Sequence, residues 1–261
     1  MSNLKVWHNN QLVNEFQLPS NSSAWLMGDG AFETIRTYQG KPFALEQHLR
    51  RLENSLSHLL IKTPEASEIS IGVDSVIAAN PHFENGRLRI TVFSDGQWLI
   101  THQPYEINFA PAKLMRYPDT KFSSYSIATT KSTSYAENFR GLRLAQSNGY
   151  DDCLFINERG EVVESAVANI LWLKDGFWYT PRASSGALPG VTRALLIEHF
   201  GVRESTLQES YLSEVESLAL VSSLREIQAV ERFESILYPF SNSLTELQSS
   251  FNTWVRDKLE A

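Results

Sequence analysis

The sequence predicts an α+β chain of two lobes, a small amino-terminal α/β lobe over residues 1–107 and a larger, hairpin-rich lobe over residues 108–261. Three observations predict it. The first hundred residues alternate between strand-like and helix-like stretches. The second half runs through closely spaced strands separated by tight-turn residues. A chain of 261 residues also buries roughly three quarters of the surface its unfolded form exposes, so it needs no disulfide or metal staple. Hydrophobic residues at 42% and charged residues at 20% give it the composition of an ordinary globular enzyme.

Each element has its own signal. Leu4 to His8 and Gln11 to Phe16 read as strands joined by a hairpin at Asn9-Asn10. Ala31 to Tyr38 is a third strand, and Gln39-Gly40-Lys41-Pro42 turns it into a helix over Glu46 to Leu60. There Leu45, Leu49, Leu52, Leu56 and Leu59 recur at helical spacing and mark the core face. Arg87 to Phe93 and Trp98 to His102 pair across Ser94-Asp95-Gly96, and Pro104 to Pro111 links the lobes. Ser126 to Thr130 then reads as a strand and Tyr135 to Ser147 as a helix closed by Gly149. Three strands follow, turning at Glu158-Arg159-Gly160 and Lys174-Asp175-Gly176. Leu188-Pro189-Gly190-Val191-Thr192 opens an apolar helix through Phe200, and Ser213 with Glu216 forms a capping box. Strand Leu218 to Ser222 and a helix near Ser243 to Lys258 complete the chain.

Composition excludes several classes of function. Lysine and arginine total 23 against 30 aspartate and glutamate, a net charge of −7, so no global positive field exists to hold a phosphate backbone or an anionic bilayer. Neither a nucleic acid nor a membrane is expected as a partner. Cys153, in an apolar run reaching Ile156, has no second cysteine to pair with, which fits a reducing compartment. Met1 to Asn10 lacks the pattern of a signal peptide, and the longest apolar stretch, Ala166 to Leu173, is broken by Asn169 and far too short to span a bilayer. The expectation is a cytoplasmic protein, in which the sequon at Asn21-Ser22-Ser23 carries no weight. A phosphate loop, His-Glu-x-x-His, paired Cys-x-x-Cys and Gly-x-Ser-x-Gly are all missing, and no metal site is expected. Gly28-Asp29-Gly30 lacks the third glycine of a dinucleotide fingerprint and reads as a turn.

One constellation survives, the one a pyridoxal phosphate enzyme needs: a lysine to carry the cofactor, a carboxylate for its ring nitrogen and donors for its phosphate. Lys131, one of eight lysines, follows Ile127-Ala128-Thr129-Thr130 and precedes a helix. Glu164 stands in Val162-Val163-Glu164-Ser165-Ala166. It is either an outward-facing strand residue or a negative charge that keeps a pyridine nitrogen protonated. Gly190-Val191-Thr192 offers the amides and hydroxyl of a helix start to a phosphate, or Thr192 is a plain helix cap. Ser222-Ser223 ends a strand with further donors or begins a turn. Arg51, away from the leucine stripe, is a phosphate clamp or a solvated arginine.

Taken in order, Gly28-Asp29-Gly30-Ala31-Phe32-Glu33-Thr34-Ile35-Arg36, His48-Leu49-Arg50-Arg51-Leu52, Lys131-Ser132-Thr133-Ser134-Tyr135, Glu164 to Asn169, Leu188 to Arg193 and Ser222 to Ile227 resemble the class IV aminotransferase family of fold type IV pyridoxal phosphate enzymes. The resemblance implies a two-lobe fold, pyridoxal 5'-phosphate as cofactor, a small amino substrate bearing a carboxylate and a homodimer. It implies that Lys131 is the catalytic, cofactor-bearing lysine and that Glu164 partners the ring nitrogen. Arg51, Val191, Thr192 and Ser223 then hold the phosphate, Tyr135 sits near the ring oxygen, and Asn169 supports the strand of Glu164. Phe32, Arg36, Arg89 and Leu224 fall on the substrate side. Chain length and Ser222-Ser223-Leu224-Arg225-Glu226-Ile227 look closer to the deoxychorismate lyase branch of the family than to its branched-chain transaminases, the alternative. Ser94-Asp95-Gly96-Gln97 lacks the arginine and histidine of D-amino acid transaminases.

Overall fold

The structure, a computed structural model, describes residues 4–260; the amino-terminal reading as it falls on residues 1–3 lies outside them. The chain divides into two compact units, Met1–Ile107 with Thr130–Tyr135, and Asn108–Thr129 with Ala136–Ala261. The segment 130–135, placed in the second lobe by its position in the sequence, joins the first unit through backbone pairing. Ala31 bridges Ser132, the Phe32 amide donates to the Lys131 carbonyl at 3.0 Å, and the Thr133 amide donates to the Gly30 carbonyl at 2.8 Å.

The first unit contains β1 (Val6–His8), β2 (Gln11–Val13), α1 (Ser23–Met27), β3 (Gly30–Tyr38), β4 (Lys41–Pro42), α2 (Leu45–His58), α3 (Ala66–Ala79), β5 (Asn85–Phe93) and β6 (Trp98–Pro104). Its sheet runs β2-β1-β6-β5-β3-β4, antiparallel throughout. Asn9 and Asn10 both adopt positive φ, 42° and 66°, the two-residue turn whose twist suits a hairpin. Strand alternation sorts the sheet into two faces. Ala31, Ile35, Leu88, Ile90 and Ile100 pack with Leu52 and Leu56 of α2 and Val73 and Val76 of α3, while Phe32, Thr34, Arg36, Arg87 and Arg89 point the other way. The leucine stripe read from the sequence is the stripe that meets the sheet.

The second unit contains β7 (Ala112–Arg116), α4 (Ala136–Ser147), β8 (Asp152–Ile156), β9 (Val162–Ser165), β10 (Asn169–Lys174), β11 (Phe177–Pro181), α5 (Val191–Phe200), β12 (Arg203–Ser205), β13 (Ser217–Ser222), β14 (Glu226–Phe233), β15 (Ile236–Leu237) and α6 (Asn242–Glu260). Its sheet runs β12-β11-β10-β13-β14-β7-β8-β9, with β15 on β14. Pairs within hairpins are antiparallel, and β7 lies parallel to both β14 and β8, pairings between segments distant in sequence. Leu114, Leu154, Ile170, Leu218 and Leu220 are fully buried at its centre.

Two expected elements are corrected. Residues 126–130 form turns, not a strand: the Ala128 amide donates to the Tyr125 carbonyl at 2.9 Å, so the backbone closes locally instead of pairing in a sheet. No helix starts at Ser213, which lies in a short 3-10 turn over Glu209–Glu214. The Glu216 amide instead donates to the Leu173 carbonyl, because Leu218 to Val221 draw the chain into the sheet. Among the described residues no helix is long and apolar enough to cross a membrane.

Candidate active site

In the first unit the site is built around β3. Glu33 lies on the helix-facing side of the sheet with no exposure at all, a position no carboxylate holds without partners. Helix α2 supplies them. Arg51 donates from Nε to Glu33 Oε1 at 2.8 Å and from Nη2 to Oε2 at 2.7 Å, and His48 Nδ1 lies 2.6 Å from Oε2. Burial alone raises the pKa of Glu33, but Arg51 and then His48 override it and hold the carboxyl at about 2. Burial pushes the His48 imidazole down, against the pull of Glu33. One side of α2 therefore carries a row, His48, Arg51, Ser55 and His58, spaced three or four residues apart. Its far end meets the lysine segment: the Lys131 amide donates to Ser55 Oγ at 3.4 Å, and His58 Nδ1 lies 2.7 Å from Thr130 Oγ1. Arg51 is thus neither solvated nor away from the sheet, and its Nε–Nη2 edge is held by Glu33.

On the other face of β3, the Phe32 ring receives two cations. The Lys131 Nζ stands 4.4 Å from its centroid and the Arg89 guanidinium carbon 3.9 Å, distances of cation–π contact. Tyr135 meets Phe32 edge-on at 5.3 Å and lies 5.4 Å from the Lys131 Nζ. Burial, then the neighbouring Arg87, pushes the Arg89 pKa down. Arg36 is buried, donates to Asn85 Oδ1 at 2.9 Å and covers Tyr38 at 4.4 Å. Lys131, Tyr135, Phe32 and Arg89 are brought together, and Arg36 sits further along the same face.

In the second unit Glu164 is 6% exposed, on a strand buried along its whole length, so it is not an outward-facing strand residue. Its Oε1 accepts from Lys121 Nζ at 3.0 Å; its Oε2 accepts from Asn169 Nδ2 at 3.2 Å and from the Leu188 amide at 3.0 Å. The same Asn169 amide donates to the Leu188 carbonyl at 2.9 Å. Glu164 is thereby tied to the loop that enters α5. That helix starts at Gly190 with no side-chain cap, so Thr192 is not the cap, and the amides of its first turn are presented as a helix N-terminus offers them to an anion. A Cβ on Gly190 would run into Asn169 Oδ1, so the close approach requires glycine. Ser223 and Leu224 occupy the turn between β13 and β14. Arg225, beside them, donates to Asp152 Oδ2 at 3.0 Å, and Asp152 Oδ1 accepts from the Ala166 amide at 3.0 Å, which ties that turn to the strand of Glu164. Burial raises the Asp152 pKa, opposed by Arg225. Among the described residues no cluster of His, Cys, Asp or Glu could hold a metal ion.

Sequence reasoning passed over Glu33, His48, Lys121, Asp152 and Arg225 as working residues. The signal for Glu33 was present: strand alternation from Ala31 and Ile35 puts a carboxylate on the core face, which demands a cation nearby. Lys121 and Asp152 carried no such local signal, since their partners lie far away in the sequence, Glu164 on β9 and Arg225 in the turn after β13.

Comparison with known proteins places these residues in context. The family model for amino-transferase class IV matches residues 30–233. The aminodeoxychorismate lyase of Bacillus subtilis is 31% identical over 192 residues, 67% of this chain and 66% of that protein, just under two thirds of its length. A Legionella pneumophila structure provisionally assigned as a 4-amino-4-deoxychorismate lyase superposes with a TM-score of 0.84 at 26% identity, covering 90% of this chain and 96% of that one. The branched-chain aminotransferase of Thermoproteus uzoniensis, in a structure with norvaline, gives a TM-score of 0.90 at 22% identity over 97% of this chain and 94% of its own, a likeness of fold.

Proposed function

The chain belongs to the class IV aminotransferase family of pyridoxal-phosphate-dependent lyases and transaminases, and we propose that within it the protein is an aminodeoxychorismate lyase, converting 4-amino-4-deoxychorismate to 4-aminobenzoate and pyruvate. The likeness to the Bacillus subtilis lyase carries this reading. The fold shared with branched-chain aminotransferases supports the alternative, a transaminase passing an amino group to a 2-oxo acid.

The residues present fit pyridoxal 5'-phosphate. The glycine-floored, uncapped start of α5 suits a phosphate, with Val191 and Thr192 as donors; Ser223, in the turn after β13, and Arg51, on α2, are the further phosphate ligands this reading assigns. The buried carboxylate of Glu164 suits a protonated pyridine nitrogen. Bound there, the cofactor supplies an electron-accepting ring. Lys131 carries it and moves the protons, taking one from the amine-bearing carbon of the substrate. Lys121, Asn169 and the Leu188 amide hold Glu164 in one orientation, so its negative charge is fixed and not reorganised during the reaction. Tyr135 packs on Phe32 and sits beside the Lys131 amine, and Arg89 covers the same Phe32 ring; Phe32, Arg36, Arg89 and Leu224 are the residues this reading assigns to the substrate. In the lyase reaction the bond from the ring carbon to the enolpyruvyl oxygen breaks as the ring becomes aromatic. The proton lost from the ring carbon is matched by the one that turns enolpyruvate into pyruvate, so no oxidant or reductant is required. The protein works as a cytoplasmic homodimer on this small substrate, in keeping with its buried, unpaired Cys153.

The test is product release. Cofactor-loaded protein given enzymatically generated 4-amino-4-deoxychorismate should release 4-aminobenzoate and pyruvate in equal amounts. Negligible pyruvate, together with rapid amino transfer from leucine or D-alanine to a 2-oxo acid, would overturn the lyase reading in favour of the transaminase.

A further inference from the structure

The sheet face that carries Phe32 also carries a row of arginines. Strand register pairs Phe32 with Thr91, Thr34 with Arg89 and Arg36 with Arg87, so all six side chains share one face. On β6, Thr101 and Gln103 continue it opposite Arg89 and Arg87. No aspartate or glutamate stands on this face of the six strands. Like charges directly across a ladder, as at Arg36 and Arg87, are destabilising. Among the described residues neither Arg87 nor Arg89 has a carboxylate partner: Arg87 Nη2 donates to Gln103 Oε1 at 2.7 Å and Arg89 Nε to Thr91 Oγ1 at 3.3 Å, both neutral acceptors. After burial, the Arg87 charge is the next cause of the depressed pKa of Arg89.

Arg89 and Lys131 share the Phe32 ring, so the row begins beside the reactive amine. Arg87 lies two residues further along the strand on the same face, a step of roughly 7 Å. Arg87 is exposed where Arg89 is half-buried, which leaves the outer guanidinium able to reach a ligand.

We propose that Arg87 and Arg89 together form a clamp for a substrate with two carboxylates, Arg89 taking the one nearer the amine and Arg87 the outer one. The clamp deepens the reading of the site as one that takes a carboxylate-bearing amine, and it makes the number of carboxylates a property the protein selects. Its anions are small dicarboxylates whose charges stand one strand step apart, as across a six-membered ring. Arg87 is then a specificity residue that touches substrate, and the like charges facing each other across β3 and β5 are the cost of a site completed by its ligand.

The experiment uses two probes that need no turnover, benzene-1,3-dicarboxylate and benzoate, titrated calorimetrically into the cofactor-loaded protein. The dicarboxylate should bind at least about tenfold more tightly than benzoate, the scale of one additional charge-assisted pair. Arg87→Gln should bring that ratio close to one by weakening the dicarboxylate alone, Arg87→Lys should restore part of it, and Arg89→Gln should weaken both ligands. An unchanged ratio in Arg87→Gln, or an equal loss of both ligands, overturns the clamp. Failure of the lyase reading shows separately: no 4-aminobenzoate is formed while the preference for two carboxylates persists.

Discussion

Lys131 is held by its neighbours rather than by a regular element. Its amide is bonded to Ser55, its carbonyl accepts from Phe32, and its ammonium lies against two aromatic rings. Those backbone bonds do not need the side chain, so Lys131→Ala should leave the circular dichroism of the folded protein in place while turnover falls by more than about a thousandfold, as expected when a covalent and proton-transferring group is lost. Reduction of the cofactor-loaded wild type with borohydride should fix the label on Lys131. Substantial turnover in the variant would remove the lysine from the mechanism. Glu33 makes a different kind of prediction. Its pKa of about 2 lies below the unfolded value of roughly 4.3, so its stabilisation is complete above the unfolded value and is lost as pH falls through that window. Urea unfolding between pH 5 and pH 3 should show a steep loss of stability that Glu33→Gln flattens. An equal slope in the variant would mean that the pair with Arg51 does not govern the acid limb. Burial lowers the pKa of His48 below its unfolded value, which adds a second loss as pH falls below roughly 6.5; since Glu33 opposes that shift, Glu33→Gln does not remove it.

Elements differ in how far their sequences announce them. Helix α2 was readable because five leucines repeat at helical spacing, and β3 and β5 because long strands with an apolar face alternate cleanly. Helix α3, with Ile69, Val73 and Val76 on its buried side, went unread between clearer signals, and β14 carries Glu226, Gln228, Glu231 and Arg232, which break the apolar pattern of a strand. Residues 126–130 were misread because a run beginning at Ile127 has strand-like composition, whereas its hydrogen bonds are local. At α5 the opening was legible but the cap was not: the glycine, not Thr192, occupies the cap position, for the steric reason supplied by Asn169. Gly190→Ala should therefore act through two elements at once, displacing Asn169 from Glu164 and shifting the first turn of α5. We expect a stability loss on the order of 1–3 kcal/mol, as for overpacking, together with weaker pyridoxal phosphate binding in a fluorescence titration. A melting temperature and affinity both equal to wild type would show that the loop absorbs the methyl group without cost.

At the scale of the molecule, the sequence motifs singled out Lys131 and Glu164 but not the remote partners that hold them. Glu164 owes its orientation to Lys121, 43 positions away, and the Asp152 carboxylate is paired with Arg225, 73 positions away; such pairings follow from sheet order, which local patterns do not encode. Surface chemistry is likewise a property of the whole. Trp25, Leu26 and Met27 are consecutive on α1 and exposed by 59%, 59% and 74%. Single exposed apolar residues are ordinary, but three large ones exposed on one short helix are a concentration of apolar side chains of the kind an interface covers. The serine at position 22 and Gly28 cap this short helix at its two ends, so the patch is presented by a defined element. With a homodimer proposed for the protein, α1 is the contact expected to bury this patch against a second copy. Sedimentation equilibrium should give twice the chain mass for the wild type, and Trp25→Ser combined with Met27→Ser should shift the equilibrium toward monomer, because removing two large side chains takes away much of the apolar area that drives association. A dimer unaffected by the double substitution would place the interface elsewhere, and a wild-type monomer at micromolar concentration would remove the homodimer itself.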